Sequence, residues 1–216
     1  MKNILKLWKE YPKQVPFLLL WHNIKKRAFK GVKNMPRIYL SPSLQEYNLF
    51  VNGGTEEEYM NLIADAMEPY LIASGIEFTR NDPSQTLTEV INESNAGGYD
   101  FHLALHSNAA PPSLAGQLRG TDVYYWYDSK WGKAAAEIIA ENFKDIYPDS
   151  SKVRTVPTST LRELRRTYAP SALVEVAYHD NPSDAQWIKE NIDQIARNLV
   201  LSLTEYFGIP FVEPED

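Results

Sequence analysis

From residue 36 onward, short apolar runs alternate with longer segments of helical period, and this pattern narrows the fold more than any other feature of the chain. Pro36–Leu40, Ile76–Thr79, Phe101–His106, Asp122–Tyr127 and Ala172–Val176 read as strands, each bounded by turn-forming residues. Met60, Ile63, Met67 and Leu71 recur at helical spacing and predict a helix over 56–73. Thr55 suits its N-cap, Glu58 falls three residues later as in a capping box, and Gly75 stops it. Further helices are expected over 86–94 and 131–146, with a short helical piece at 161–166 and one helix or two over 184–207. Residues 44–54 and the Pro-rich stretch from 107 to 120 read as loops. Strands alternating with helices predict an α/β fold: a three-layer sandwich with a mainly parallel twisted sheet flanked by helices.

Composition removes several functions. The chain of 216 residues contains no cysteine, which excludes disulfides, thiolate metal sites and a cysteine nucleophile. Its net charge of -6 argues against a nucleic-acid binder. No apolar run approaches the length of a membrane-spanning helix. The charge is unevenly placed: residues 1–35 carry +8 and residues 36–216 carry -14. This shift divides the chain into a basic leader (1–35), a main domain (36–210) and an acidic tail (211–216). The leader's apolar run Val15–Trp21 is short, interrupted by Pro16 and followed by Lys25-Lys-Arg27, unlike a signal peptide. It reads as short helices with a solvated basic face; contact with an anionic membrane or wall polymer is the alternative.

Four residues stand out chemically. Glu175 lies inside the apolar strand Leu173-Val-Glu-Val176, where a carboxylate is costly unless it is paired or at work. The bland alternative is an ion pair with Arg165 or Arg166. His106 ends the strand Phe101–His106, at a strand-to-loop junction of the kind that carries chemistry. His179 follows Glu175 by four residues. Of the three acids that open the first helix, only Glu56 is in line with the stripe Met60, Ile63, Met67, so it should face the core while Glu57 and Glu58 face water. His102 shares a strand face with His106 but lies about 13 Å away at strand rise, too far to share a metal, and reads as structural. Zinc takes His nitrogen and Glu oxygen and leaves one position for water, whose pKa it lowers to about 7. Glu56 and His106 suit such ligands, and Glu175 suits the base outside the metal shell.

In order along the chain, Thr55–Glu58 with its apolar helix, Gly75–Arg80, Gly98–Ala109, Gly120–Tyr125 and Pro170–Asn181 resemble the zinc-dependent N-acetylmuramoyl-L-alanine amidases of the Amidase_3 type. The resemblance covers about residues 36–208. It implies a hydrolase that cleaves the amide between N-acetylmuramic acid and L-alanine in peptidoglycan, with Zn2+ as cofactor and the bacterial cell wall as the place of action. It leaves the export route open, whether in wall remodelling, sporulation or phage lysis. By position it makes Glu56 and His106 zinc ligands and Glu175 the catalytic carboxylate. Asn108 and Asn181 match polar positions.

One departure from the family pattern bears on the metal. The family's first strand usually ends in Asp-Pro-Gly-His-Gly, whose His is a zinc ligand; here the stretch reads Ser41-Pro-Ser-Leu-Gln45. Leu44 cannot bind zinc; Gln45 could offer an amide oxygen, a weaker neutral ligand, and His179 could come in from another strand. A non-catalytic peptidoglycan-binding protein on the same fold is the alternative function.

Overall fold

The computed structural model describes residues 35–215; the expectations for the basic leader lie outside them. Six strands form one sheet: β1 (Arg37–Pro42), β2 (Glu77–Arg80), β3 (Phe101–Asn108), β4 (Thr121–Trp126), β5 (Val153–Thr158) and β6 (Ser171–Tyr178). Their spatial order is β2-β1-β3-β6-β4-β5, and every neighbouring pair is parallel except β4 with β6. The helices are α1 (Glu56–Ser74), α2 (Leu87–Gly97), α3 (Lys130–Ile146), α4 (Arg162–Arg166), α5 (Pro182–Glu190) and α6 (Ile192–Phe207). None of the described helices is long and apolar enough to cross a membrane.

The two faces of the sheet are unequal. Strand alternation sends Ile38, Leu40, Phe101, Leu103, Leu105, Val174 and Val176 to one side, where they join Met60, Ile63, Ile139, Phe143, Leu199 and Leu203 in the main core. The other side carries a small apolar cluster, Ala104, Leu164 and Leu173, with Tyr124, Trp126 and Leu161 packed on it. His102, His106 and Glu175 belong to this thinner face. There, fewer apolar side chains need covering, so polar groups can collect near solvent.

Local signals set the boundaries of the helices. Thr55 accepts a hydrogen bond from the Glu58 amide at 3.1 Å, the first half of the expected capping box. The second half does not form, and Thr55 is instead bridged to Leu49. The complete box occurs at α2, between Thr86 and Glu89. Gly75 ends α1 at φ 75°, a conformation only glycine adopts freely. The 184–207 segment resolves as two helices, broken at Asn191. Residues at the acidic end pack back on the domain: Phe211 stacks on Tyr70 at 6.1 Å and the Val212 amide donates to Ser74 Oγ at 3.1 Å.

Two features were not expected from the sequence. Strand β5 was not anticipated, because Val153–Thr158 contains Pro157 and buries only its two ends. It survives as an edge strand, where a missing N–H is tolerated. The reversal of β4 follows from its connection. Only a loop with one 3-10 turn joins β3 to β4, and a parallel return would need a helical crossover. Gly120 enters β4 at φ 125°, and a Cβ there would lie 2.4 Å from the Lys152 carbonyl oxygen. Gly120→Ala is therefore expected to cost about 1–3 kcal/mol, read from the urea midpoint.

Candidate functional site

The sheet register builds the site. His106 on β3 is paired with Glu175 on β6, Glu175 with Asp122 on β4, and Asp122 with Arg154 on β5. Paired residues point to the same face, so a row of ionisable groups crosses four strands at the spacing of neighbouring strands, about 4.8 Å. Arg154 grips Asp122 at both carboxylate oxygens, at 2.9 and 3.0 Å. Asn108 adds an amide contact to Asp122 at 3.4 Å. These bonds tie Asp122 to the outer strand and leave Glu175 without an arginine.

Glu175 has no ion-pair partner among the described residues; neither Arg165 nor Arg166 reaches it. Its Oε2 is buried with no hydrogen bond. Burial raises its pKa, the His106 charge opposes that rise, and the nearby Glu56 and Asp122 carboxylates add to it. The result is a group pushed up to about 7. A carboxyl poised there can take and return a proton near neutral pH.

Glu56 is brought to the site by the first turn of α1. It is 1 % exposed, whereas Glu57 is half-buried and Glu58 is exposed, as the helical stripe predicts. His106 Nδ1 lies 2.8 Å from Glu56 Oε1. Gln45 Nε2 lies 3.2 Å from each of these atoms. Asn48 donates from Nδ2 to Glu56 Oε2 at 2.6 Å. Burial alone would raise the Glu56 pKa; the His106 contact and charge and the Asn48 amide outweigh it, and the net shift is downward. For His106, burial opposes the charged form, but the surrounding carboxylates Glu163, Glu56 and Glu175 hold its pKa well above the usual imidazole value.

Behind His106 is a second carboxylate, Glu163 of α4. Ser41 donates to Glu163 Oε1 at 2.6 Å, and His102 Nε2 meets the same oxygen at 2.8 Å. Glu163 Oε2 stands 3.7 Å from His106 Nε2. Burial would raise its pKa, but the two histidines hold it far below the usual carboxylate range. His102 is fully buried, with Ser94 Oγ 2.9 Å from its Nδ1 and Tyr39 stacked on its ring, in keeping with a structural role. Glu163, Ser41 and Asn48 were not singled out from the sequence. The only signal at Glu163 is a lone acid in the basic run Arg162–Arg166.

His179 is placed differently from Gln45. Its Nδ1 lies 2.9 Å from the Ser107 carbonyl oxygen, to which it must donate, and 4.0 Å from Glu56 Oε2. Phe50 stacks on the ring at 5.5 Å. With Nδ1 held by the Ser107 carbonyl and hydroxyl, His179 braces the end of β3, and its Nε2 keeps the ring's lone pair. Asn181 caps α5 and donates to the Gly116 carbonyl at 2.7 Å.

Among the described residues, no three His, Asp or Glu side chains converge as a metal cluster. Gln45 stands as the third polar group beside Glu56 and His106. Glu56 Oε1, His106 Nδ1 and the Gln45 amide form a triangle with edges of 2.8, 3.2 and 3.2 Å. Tetrahedral zinc with bonds of about 2.0–2.1 Å spaces its ligand atoms by about 3.3 Å. With Nδ1 protonated, it and the Gln45 N–H both donate to Glu56 Oε1, and the third edge is a contact between two donors. Without that proton, Nδ1 faces a carboxylate oxygen. A cation with the Gln45 oxygen inward would satisfy all three at once. Zinc would take Glu56 Oε1 and His106 Nδ1 as they stand, and Gln45 only with its amide turned. A cavity of about 370 Å³ opens beside them, lined by Ser43, Gln45, Tyr47, Thr86, His106 and Arg162 among others.

Comparison with known proteins places the chain in a family. The chain is 28% identical over 153 residues to the N-acetylmuramoyl-L-alanine amidase LytC of Bacillus subtilis (strain 168), a match covering 68% of this chain and 30% of LytC. It thus spans less than a third of that relative's length. Its fold matches the amidase AmiC2 of Nostoc punctiforme with a TM-score of 0.71 at 18% identity, covering 81% of this chain and 98% of the other. An amidase from Clostridium difficile 630 matches with a TM-score of 0.72 at 16% identity, covering 82% and 98%. Amidases of this type are generally zinc-dependent. The family model for N-acetylmuramoyl-L-alanine amidases matches residues 46–205, opening one residue after Gln45, and the chain is a member of that family.

Proposed function

We propose that this chain hydrolyses the amide between N-acetylmuramic acid and the first L-alanine of the peptidoglycan stem, acting at the bacterial cell wall. The observation that carries this reading is half-buried Glu175, whose Oε2 is buried without a hydrogen bond and which is set in register beside His106. Family membership supports the substrate class.

Glu56, His106 and Gln45 are the residues that would hold zinc, with Asn48 bracing Glu56 and His179 bracing the end of β3. Bound there, zinc supplies an acidified water and polarises the scissile carbonyl. Glu175 accepts a proton from the attacking water and passes it to the alanine nitrogen as the C–N bond breaks. The products are the lactyl carboxylate and a free amino terminus, so water is the only co-reactant. Glu163 orients His106 from behind. With Nε2 facing this carboxylate, Nδ1 is left to face the centre. The cavity beside His106 gives the stem peptide a place on the thin face of the sheet.

The test is incubation with purified peptidoglycan, scoring new L-alanine amino termini with and without a zinc chelator. Cleavage abolished by chelator and restored by zinc is expected. Retention on peptidoglycan without new termini, even in added zinc, would overturn the hydrolase in favour of a wall-binding protein.

A further inference from the structure

We infer that Gln45 is a reversible stopper of the centre, held with its N–H inward by Asn48, so that capture of a divalent cation requires its amide to turn. The inference rests on the metal reading of the site given above.

The amide orientation follows from donor and acceptor chemistry. Asn48 has one terminal group 2.6 Å from Glu56 Oε2 and 3.1 Å from the outer end of Gln45. An ionised carboxylate only accepts hydrogen bonds, so the Asn48 group facing it is the NH2. The same NH2 requires an acceptor on Gln45, which fixes Oε1 outward. Tyr47 supports this orientation by donating to Oε1 at 3.2 Å. Nε2 is thereby aimed inward, 3.2 Å from Glu56 Oε1. An amide nitrogen with two hydrogens has no lone pair to give a metal, and its N–H stands in for positive charge at the carboxylate.

Turning the amide would offer oxygen inward and set Nε2 against Asn48 Nδ2, donor against donor. The Tyr47 hydroxyl can rotate to accept instead of donate, but Asn48 cannot reverse without opposing Glu56. Asn48 is thus the residue that resists the turn, although it is not itself placed as a ligand. The centre should bind its cation more weakly than its donor atoms alone would allow. Uptake should depend on the metal supply.

The experiment is a zinc titration of the full chain against a chromophoric chelator, comparing wild type, Asn48→Ala and Gln45→His. Asn48→Ala is expected to tighten zinc at least tenfold, although it removes a polar group from the site. Gln45→His is expected to tighten it at least a hundredfold. Thermal melts confirm folding, and Asn48→Ser replaces Asn48→Ala if the latter is unfolded. Zinc affinity unchanged or weakened in a folded Asn48 variant would overturn the stopper. If Gln45→His binds zinc in that same experiment, the metal reading survives the failure. If no variant binds zinc, the metal reading falls and the stopper with it.

Discussion

Glu175→Gln is expected to slow muramoyl–alanine cleavage by about 10²–10⁴-fold, the usual contribution of a positioned general acid–base. The substitution keeps the size of the side chain and removes only its ability to move a proton. Because Glu175 is not placed as a ligand, zinc content should be unchanged. The same variant should gain stability in alkali. The folded pKa of Glu175 is raised from 4.5 to about 7. A carboxyl raised in this way contributes stability that is complete below its unfolded value and lost as pH rises through its folded one. Glutamine stays neutral throughout and escapes that loss. At 1.36 kcal/mol per unit, the variant should exceed wild type by about 3 kcal/mol at pH 9 and match it near pH 4. Turnover assays and urea denaturation at the two pH values, the latter in chelator, check both parts. Retained turnover would remove Glu175 from the mechanism.

Glu163→Ala is expected to be the most destabilising single change near the site. Its carboxylate is buried and satisfies His102 Nε2 and Ser41 Oγ, while facing His106. Removing one partner of a buried ion-paired cluster costs about 3–5 kcal/mol, because the groups left behind stay desolvated. For a domain of this size that corresponds to a fall in Tm of roughly 10 °C. The pH dependence has the opposite sign to that of Glu175. The pKa of Glu163 is lowered in the fold, so its contribution is complete above its unfolded value of 4.5 and fades as pH falls through the folded one. The gap between wild type and variant should therefore narrow in strong acid. Ser41→Ala, which leaves the His102 contact intact, should cost only about 1 kcal/mol. A Glu163→Ala protein that melts with wild type would show the cluster to be energetically idle.

Much of this site was legible because it depends on local periodicity. The stripe Met60, Ile63, Met67 places Glu56 on the core face, and the structure finds it buried there while Glu58 is exposed. An acid in the run Leu173–Val176 is anomalous at any register, so Glu175 could be singled out without a structure. The absence of a histidine over Ser41–Gln45 is equally plain in the residues.

The sequence by itself thus determined the alternating α/β order, the helix that delivers Glu56 and the strand positions of His106 and Glu175. Periodicity and capping act within a few residues, and the chain carries that information locally. Tertiary structure decided the antiparallel turn of β4, the edge strand β5 and the row His106–Glu175–Asp122–Arg154, all of which depend on which strands lie side by side. It also set Gln45 Nε2 3.2 Å from Glu56 and His106, and His179 Nδ1 4.0 Å from Glu56. Gln45 and His179 are each near one end of a strand in the sequence. Only the packing of the loop after β1 against α1, with Ser107 engaging His179, sets these distances.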